Sequence, residues 1–130
     1  MNLDKYRYIV VEGPIGVGKT SLAKRIAAET SAQPLLEQPE ENPFLERFYR
    51  DSARYALPTQ MFFLFQRMNQ LRDLTQTDLF SAPVVSDFLI DKDPIFAALT
   101  LADDELNLYY QMFEHFSQSS PRPDLVIYLQ

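Results

Sequence analysis

All three glycines of this 130-residue chain fall in one window, Gly13-Pro14-Ile15-Gly16-Val17-Gly18-Lys19-Thr20, which satisfies the pattern G-x-x-x-x-G-K-[ST]. Residues of these types at this spacing bind phosphate. Glycines let successive backbone N–H groups curl around phosphate oxygens with no Cβ in the way. The lysine at Lys19 reaches β/γ-phosphates, and the hydroxyl of Thr20 is suited to Mg²⁺. A helix whose first turn contains Ser21 aims its positive end at the same anion. An apolar β-branched run, Tyr8-Ile9-Val10-Val11, precedes the window, so strand, glycine loop and helix stand in the order this chemistry requires. The implied ligand is a nucleoside triphosphate with Mg²⁺.

Other residues with chemical potential are carboxylates where strands end, Glu37 and Asp87, and two polar residues on a long aromatic helix, Gln60 and Arg67. The last two are seven residues apart, two helical turns, and so share one side. No D-x-x-G switch or N-K-x-D guanine motif follows the loop, and no glycine remains to build the first. The set suits a kinase with a small, partly apolar acceptor. His115, the single histidine, sits among Phe113, Glu114 and Phe116 with no serine or cysteine motif, and is read as structural.

The elements that must position these residues alternate. Strands are expected at Tyr6–Glu12, Pro34–Glu37, Ala82–Asp87 and Asp124–Leu129, with helices at Lys19–Thr30, Pro43–Ser52, Leu57–Thr77, Asp91–Leu99 and Asp103–Ser117. This alternation predicts an α/β fold with a parallel sheet and right-handed crossovers. The first, third and fourth strands are near-continuous apolar runs, as expected of strands covered on both faces. Pro121-Arg122-Pro123 stops the last helix and extends the chain into the final strand.

Length predicts one domain, and 46% hydrophobic residues predict a globular one. The net charge of −6 argues against a nucleic-acid partner. No apolar run is long enough to span a membrane, and zero cysteines fit a reducing, cytoplasmic setting.

Taken together, the chain resembles the P-loop deoxynucleoside kinases, especially bacterial deoxyguanosine/deoxyadenosine kinase-like members. The resemblance rests on Tyr8 through Thr20, Glu37 through Leu45, Gln60 through Leu71, Ser86 through Lys92 and Pro123 through Leu129. It implies a three-layer P-loop fold with a five-stranded parallel sheet, of which four strands are present. It further implies transfer of the ATP γ-phosphate to the 5′-hydroxyl of a deoxynucleoside, with purines favoured. Glu37 corresponds to the family's general base, with Glu40 or Glu41 as the alternatives, because Gln38 intervenes before Pro39 and leaves the register open. Gln60 corresponds to the glutamine that hydrogen-bonds the base, Arg67 to a nearby arginine and Tyr49 to a tyrosine on the deoxyribose 3′-hydroxyl. Phe63 and Phe44 are candidates to sandwich the base, and Asp93 is expected to pair with Arg67. Asp87 is placed to hold Mg²⁺ opposite Thr20.

Two departures from the family pattern stand out. Phe88 occupies the place of an arginine, for which Lys92 is the substitute cation, and the chain ends one residue after the fourth strand. A C-terminally truncated single kinase domain is therefore expected, lacking an arginine-rich lid and turning over weakly, with a homodimer possible. Two other readings fit the loop: a nucleoside monophosphate kinase, and a nucleotide-binding module without turnover.

Overall fold

The computed structural model describes residues 3, 5–14, 16–76 and 83–130, and no side chain at 74–76. Backbone contacts divide the chain into two compact units. The first comprises Met1–Glu37, Thr77–Leu89 and Pro121–Gln130; the second comprises Gln38–Gln76 and Ile90–Ser120.

The first unit is the sheet with one helix. Its strands are β1 (Tyr8–Glu12), β2 (Gln33–Leu35), β3 (Val84–Ser86) and β4 (Leu125–Tyr128), and its helix is α1 (Lys19–Thr30). The strand order is β2-β3-β1-β4, and every pairing is parallel. Successive strands are joined through helical segments, as parallel pairing demands. All five residues of β1 and all three of β3 are buried, which explains their unbroken apolar character. Ala23 and Ala27 of α1 lie against Ile9, Val11 and Val85. Their small side chains let the helix settle close to the sheet, which sets the height of the loop that feeds it.

The fourth strand departs from the expected two-sided burial. Its residues alternate half-buried and exposed, with Val126 44% and Tyr128 60% exposed, so one face of β4 is covered and the other is open. Asp124 fixes its start: its Oδ2 accepts the backbone N–H groups of Arg7 and Tyr8, each at 2.9 Å. The second strand ends at Leu35, so Glu37 lies beyond it rather than at its last position. The third closes at Ser86, whose Oγ accepts the N–H of Phe88 at 3.1 Å and turns the chain just past Asp87. The expected start of that strand at Ala82 lies outside the described residues.

The second unit is helical: α2 (Leu45–Arg50), α3 (Ser52–Gln76), α4 (Asp93–Thr100) and α5 (Asp103–Ser117), with 3-10 turns at Pro39–Glu41 and Ile90–Lys92. Helix α3 begins five residues before its expected start at Leu57 and runs through Pro58. Proline there withholds an N–H from the Arg54 carbonyl but leaves the following turns intact. The expected extension of α3 to Thr77 lies outside the described residues. Within α3, Leu64 and Leu71 are wholly buried, whereas Met61, Phe62 and Phe63 are half-buried and Phe65 is exposed. Glu105 reaches back to the Ala102 N–H at 3.2 Å, closing the start of α5.

Replacing Asp124 by Ala is expected to cost about 1 kcal/mol, since water can take over part of the lost bonding. Amide hydrogen exchange at Arg7 and Tyr8 should accelerate while exchange in α5 stays unchanged.

Candidate active site

The phosphate loop leaves the end of β1 and enters α1. Gly18 caps α1 with φ 96°, a left-handed geometry that side chains resist. At Gly13 the constraint is space, because an added Cβ would lie 2.6 Å from the Leu129 carbonyl oxygen. Of the loop residues expected to hold nucleotide, Pro14, Gly16 and Gly18 are exposed, Val17 and Lys19 are half-buried, and Thr20 and Ser21 open the helix at the surface. Ile15 lies outside the described residues. Val17 donates its N–H to the Pro14 carbonyl at 3.3 Å, which closes the turn.

Asp87 organises the rest of this region. It is 2% exposed, and both carboxylate oxygens are engaged. Its Oδ2 accepts the Thr20 hydroxyl at 2.6 Å, and its Oδ1 accepts the Glu37 backbone N–H at 2.8 Å. Segments from the loop, the β2 end and the β3 end are thus drawn to one carboxylate. The Glu37 side chain is exposed there, whereas Glu41 accepts a hydrogen bond from Gln66 Nε2 at 3.1 Å. Lys19 is paired with Glu12, Nζ to Oε1 at 3.7 Å. Sequence reasoning passed over Glu12; its signal was an acid closing an otherwise apolar strand.

Thr20 and Asp87 supply a hydroxyl and a carboxylate side by side, an oxygen donor set that fits Mg²⁺. Among the described residues no cluster of three or more His, Cys, Asp or Glu forms a metal cage.

The second unit contains a buried ionic cluster on α3, α4 and α5. Arg67 pairs with Asp93 Oδ1, and the Tyr109 hydroxyl donates to Asp93 Oδ2. Asp93 is 1% exposed and Tyr109 wholly buried. Arg67 also lies over the Phe63 ring, 5.1 Å from its centroid. Burial first, then the negative charge of Asp93 and the hydrogen bond made to it, hold the Tyr109 phenol far above its ordinary range. Tyr109 is one of seven tyrosines, and nothing in its neighbourhood of sequence marks it out.

The remaining expected residues are spread over both units. Gln60 is buried on α3, at 7% exposure. Tyr49 is 76% exposed on α2, with Phe48 against it at 5.9 Å between ring centroids. Phe44 is covered by the Arg47 guanidinium at 5.2 Å, so Phe44 and Phe63 each already have a cation on the ring. Lys92 is the residue before α4. Phe88 is 3% exposed in the first unit, a packing residue where a cation was sought. His115 is exposed, with its ring edge-on to Phe116 at 5.2 Å.

Parallel sheet, G-x-x-x-x-G-K-[ST] loop and an acid just past a strand end together define a protein of the P-loop α/β fold. The family model for deoxynucleoside kinase matches residues 9–130, and the chain belongs to that family. A deoxyguanosine kinase of Bacillus subtilis is 35% identical over 124 residues, covering 95% of this chain and 60% of the relative. A deoxyadenosine/deoxycytidine kinase of the same organism is 31% identical, covering 99% and 62%. The chain thus spans about three-fifths of these relatives. A structure of deoxyadenosine kinase from M. mycoides with bound dATP superposes with a TM-score of 0.76 at 24% identity, covering 93% of this chain and 63% of that one. That likeness establishes the fold.

Tyr109→Phe removes the hydroxyl from a buried carboxylate and is expected to cost about 1–3 kcal/mol, read from the denaturant midpoint. The folded protein holds this proton more tightly than the unfolded chain, whose phenols titrate near pH 10. The associated stability is complete below pH 10 and is lost progressively above it. The fall in stability above pH 10 should therefore be shallower in Tyr109→Phe than in the parent.

Proposed function

We propose that this chain carries the nucleotide-binding and acceptor-binding parts of a deoxynucleoside kinase, which transfers the ATP γ-phosphate to the 5′-hydroxyl of a deoxynucleoside. The observation that carries the reading is the shared carboxylate of Asp87, with the Thr20 hydroxyl on one oxygen and the Glu37 N–H on the other. It stands in a chain matched by the deoxynucleoside kinase family over residues 9–130.

In this reading Gly13–Thr20 and Ser21 receive the triphosphate through backbone N–H groups, and Lys19 supplies a positive charge. Thr20 and Asp87 would hold Mg²⁺, which when bound neutralises phosphate charge. Glu37 accepts the proton of the attacking hydroxyl. Its backbone is anchored on Asp87 while its side chain is exposed, where an incoming hydroxyl can meet it. Little covalent work falls to the protein, because phosphoryl transfer is mostly positioning and charge compensation.

Acceptor recognition is assigned to the second unit: Gln60 through its amide, Arg67 and Asp93 as a fixed ionic pair, and Tyr49, Phe63 and Lys92 as further contacts. The name of one relative, deoxyguanosine kinase, supports a purine preference, while the other, deoxyadenosine/deoxycytidine kinase, joins a purine to a pyrimidine. Phe88 offers no cation for an acceptor phosphate, which favours a nucleoside over a nucleoside monophosphate. No helix among the described residues is long and apolar enough to cross a membrane. Cytoplasmic location and homodimeric assembly complete the reading.

Coupled phosphoryl transfer from ATP to each deoxynucleoside tests it, using the chain and a form extended beyond Gln130. Transfer to a purine deoxynucleoside is expected. Glu37→Gln should lower turnover by roughly 10²–10⁴-fold with ATP binding retained. Transfer to no deoxynucleoside by the extended form would remove the assignment, and full activity of Glu37→Gln would move the base elsewhere.

A further inference from the structure

Glu12 is the single acid in the buried run of β1 and is itself 6% exposed. A carboxylate in such a place is costly to bury unless it finds donors. Among its partners are two from the phosphate loop. Its Oε1 accepts the Gly13 N–H at 2.8 Å and lies 3.7 Å from Lys19 Nζ. A backbone N–H at the loop entrance and the loop lysine are the kinds of donor such a loop directs at phosphate oxygens. The Glu12 carboxylate therefore sits where it engages groups that an incoming polyphosphate also seeks.

We propose that Glu12 is a positioning residue that serves as an internal counter-anion for Lys19, so that the β- and γ-phosphates of a nucleotide must draw the lysine away from it. The inference rests on the phosphate-loop reading given under Proposed function, and not on the identity of the acceptor. The 3.7 Å separation exceeds the 2.7–2.9 Å of a charge-assisted hydrogen bond, so the attraction is largely coulombic. Lys19 can then turn toward phosphate without breaking a short bond. The carboxylate is held in place independently by the Gly13 N–H, so it remains as a competitor when the lysine moves. Affinity for di- and triphosphates is thereby kept below what the loop would otherwise reach, and product release is eased.

Glu12→Gln separates this role from simple packing. The amide is nearly the same size and retains an oxygen for the Gly13 N–H, but carries no charge. Isothermal titration of the full chain with ATP, ADP and AMP supplies the readout, alone and in a Lys19→Met background. ATP and ADP should bind roughly fivefold more tightly to Glu12→Gln, the scale of one weak, long-range ion pair. AMP, which has no β-phosphate for Lys19, should change by less than about twofold, and the gain for ATP should vanish when Lys19 is Met.

Unchanged or weaker ATP binding by Glu12→Gln would overturn the proposal. So would equal tightening of AMP, or tightening that persists without Lys19, since either marks a general charge effect. If Glu12→Gln does not fold, Glu12→Asp, which draws the same charge back by one methylene, takes its place. It too is expected to tighten ATP and ADP over AMP, and failure to do so is equally fatal. Absence of ATP binding by the parent chain would instead sink the phosphate-loop reading itself.

Discussion

A carboxylate that is 2% exposed needs hydrogen bonds on both oxygens, and Asp87 obtains them from the Thr20 hydroxyl and the Glu37 backbone. That requirement ties the start of α1, the segment after β2 and the end of β3 to one point. The parallel sheet makes the arrangement possible, because its strands all deliver their C-terminal ends to the same side. Strands as short as β2 and β3 are sufficient, since they need only bring Glu37 and Asp87 level with the loop that leaves β1.

The helical unit solves a similar problem by different means. Asp93 is buried slightly more deeply than Asp87, and it is matched by a guanidinium and a phenol. Buried pairs of this kind add little net stability, yet removing one partner leaves a charge in an apolar setting. The cluster is therefore best understood as a device for orientation. It fixes the Arg67 fork against the Phe63 ring and commits α3, α4 and α5 to one relative register.

How much of this could be read from the residues depended on distance along the chain. The strand–loop–helix order around Gly13–Thr20 was legible because its pattern is contained in consecutive positions. Helices α1 and α5 fell at their expected bounds because the residues flanking them and their apolar spacing agree there. The start of α3 lies five residues before the expected Leu57, and the helix runs through Pro58, since a proline early in a long helix costs only one carbonyl its partner. Two-sided burial of β4 was an error of a different kind: an apolar run says that a strand packs, not on how many of its faces. Glu12 was missed although an acid closes an otherwise apolar strand there, and Tyr109 because its partners are set by folding and no local pattern distinguishes it.

The contact of Gly13 with Leu129 has a bearing on how the molecule comes into being. The strands that meet there are also joined by the Tyr8–Asp124 bond, across 116 residues. Closing so long a stretch is slow, because chain entropy must be surrendered before the contact repays it. The neighbour that leaves no room for a side chain at Gly13 arrives only with β4, so one wall of the loop entrance is supplied by a segment synthesised long after the loop itself.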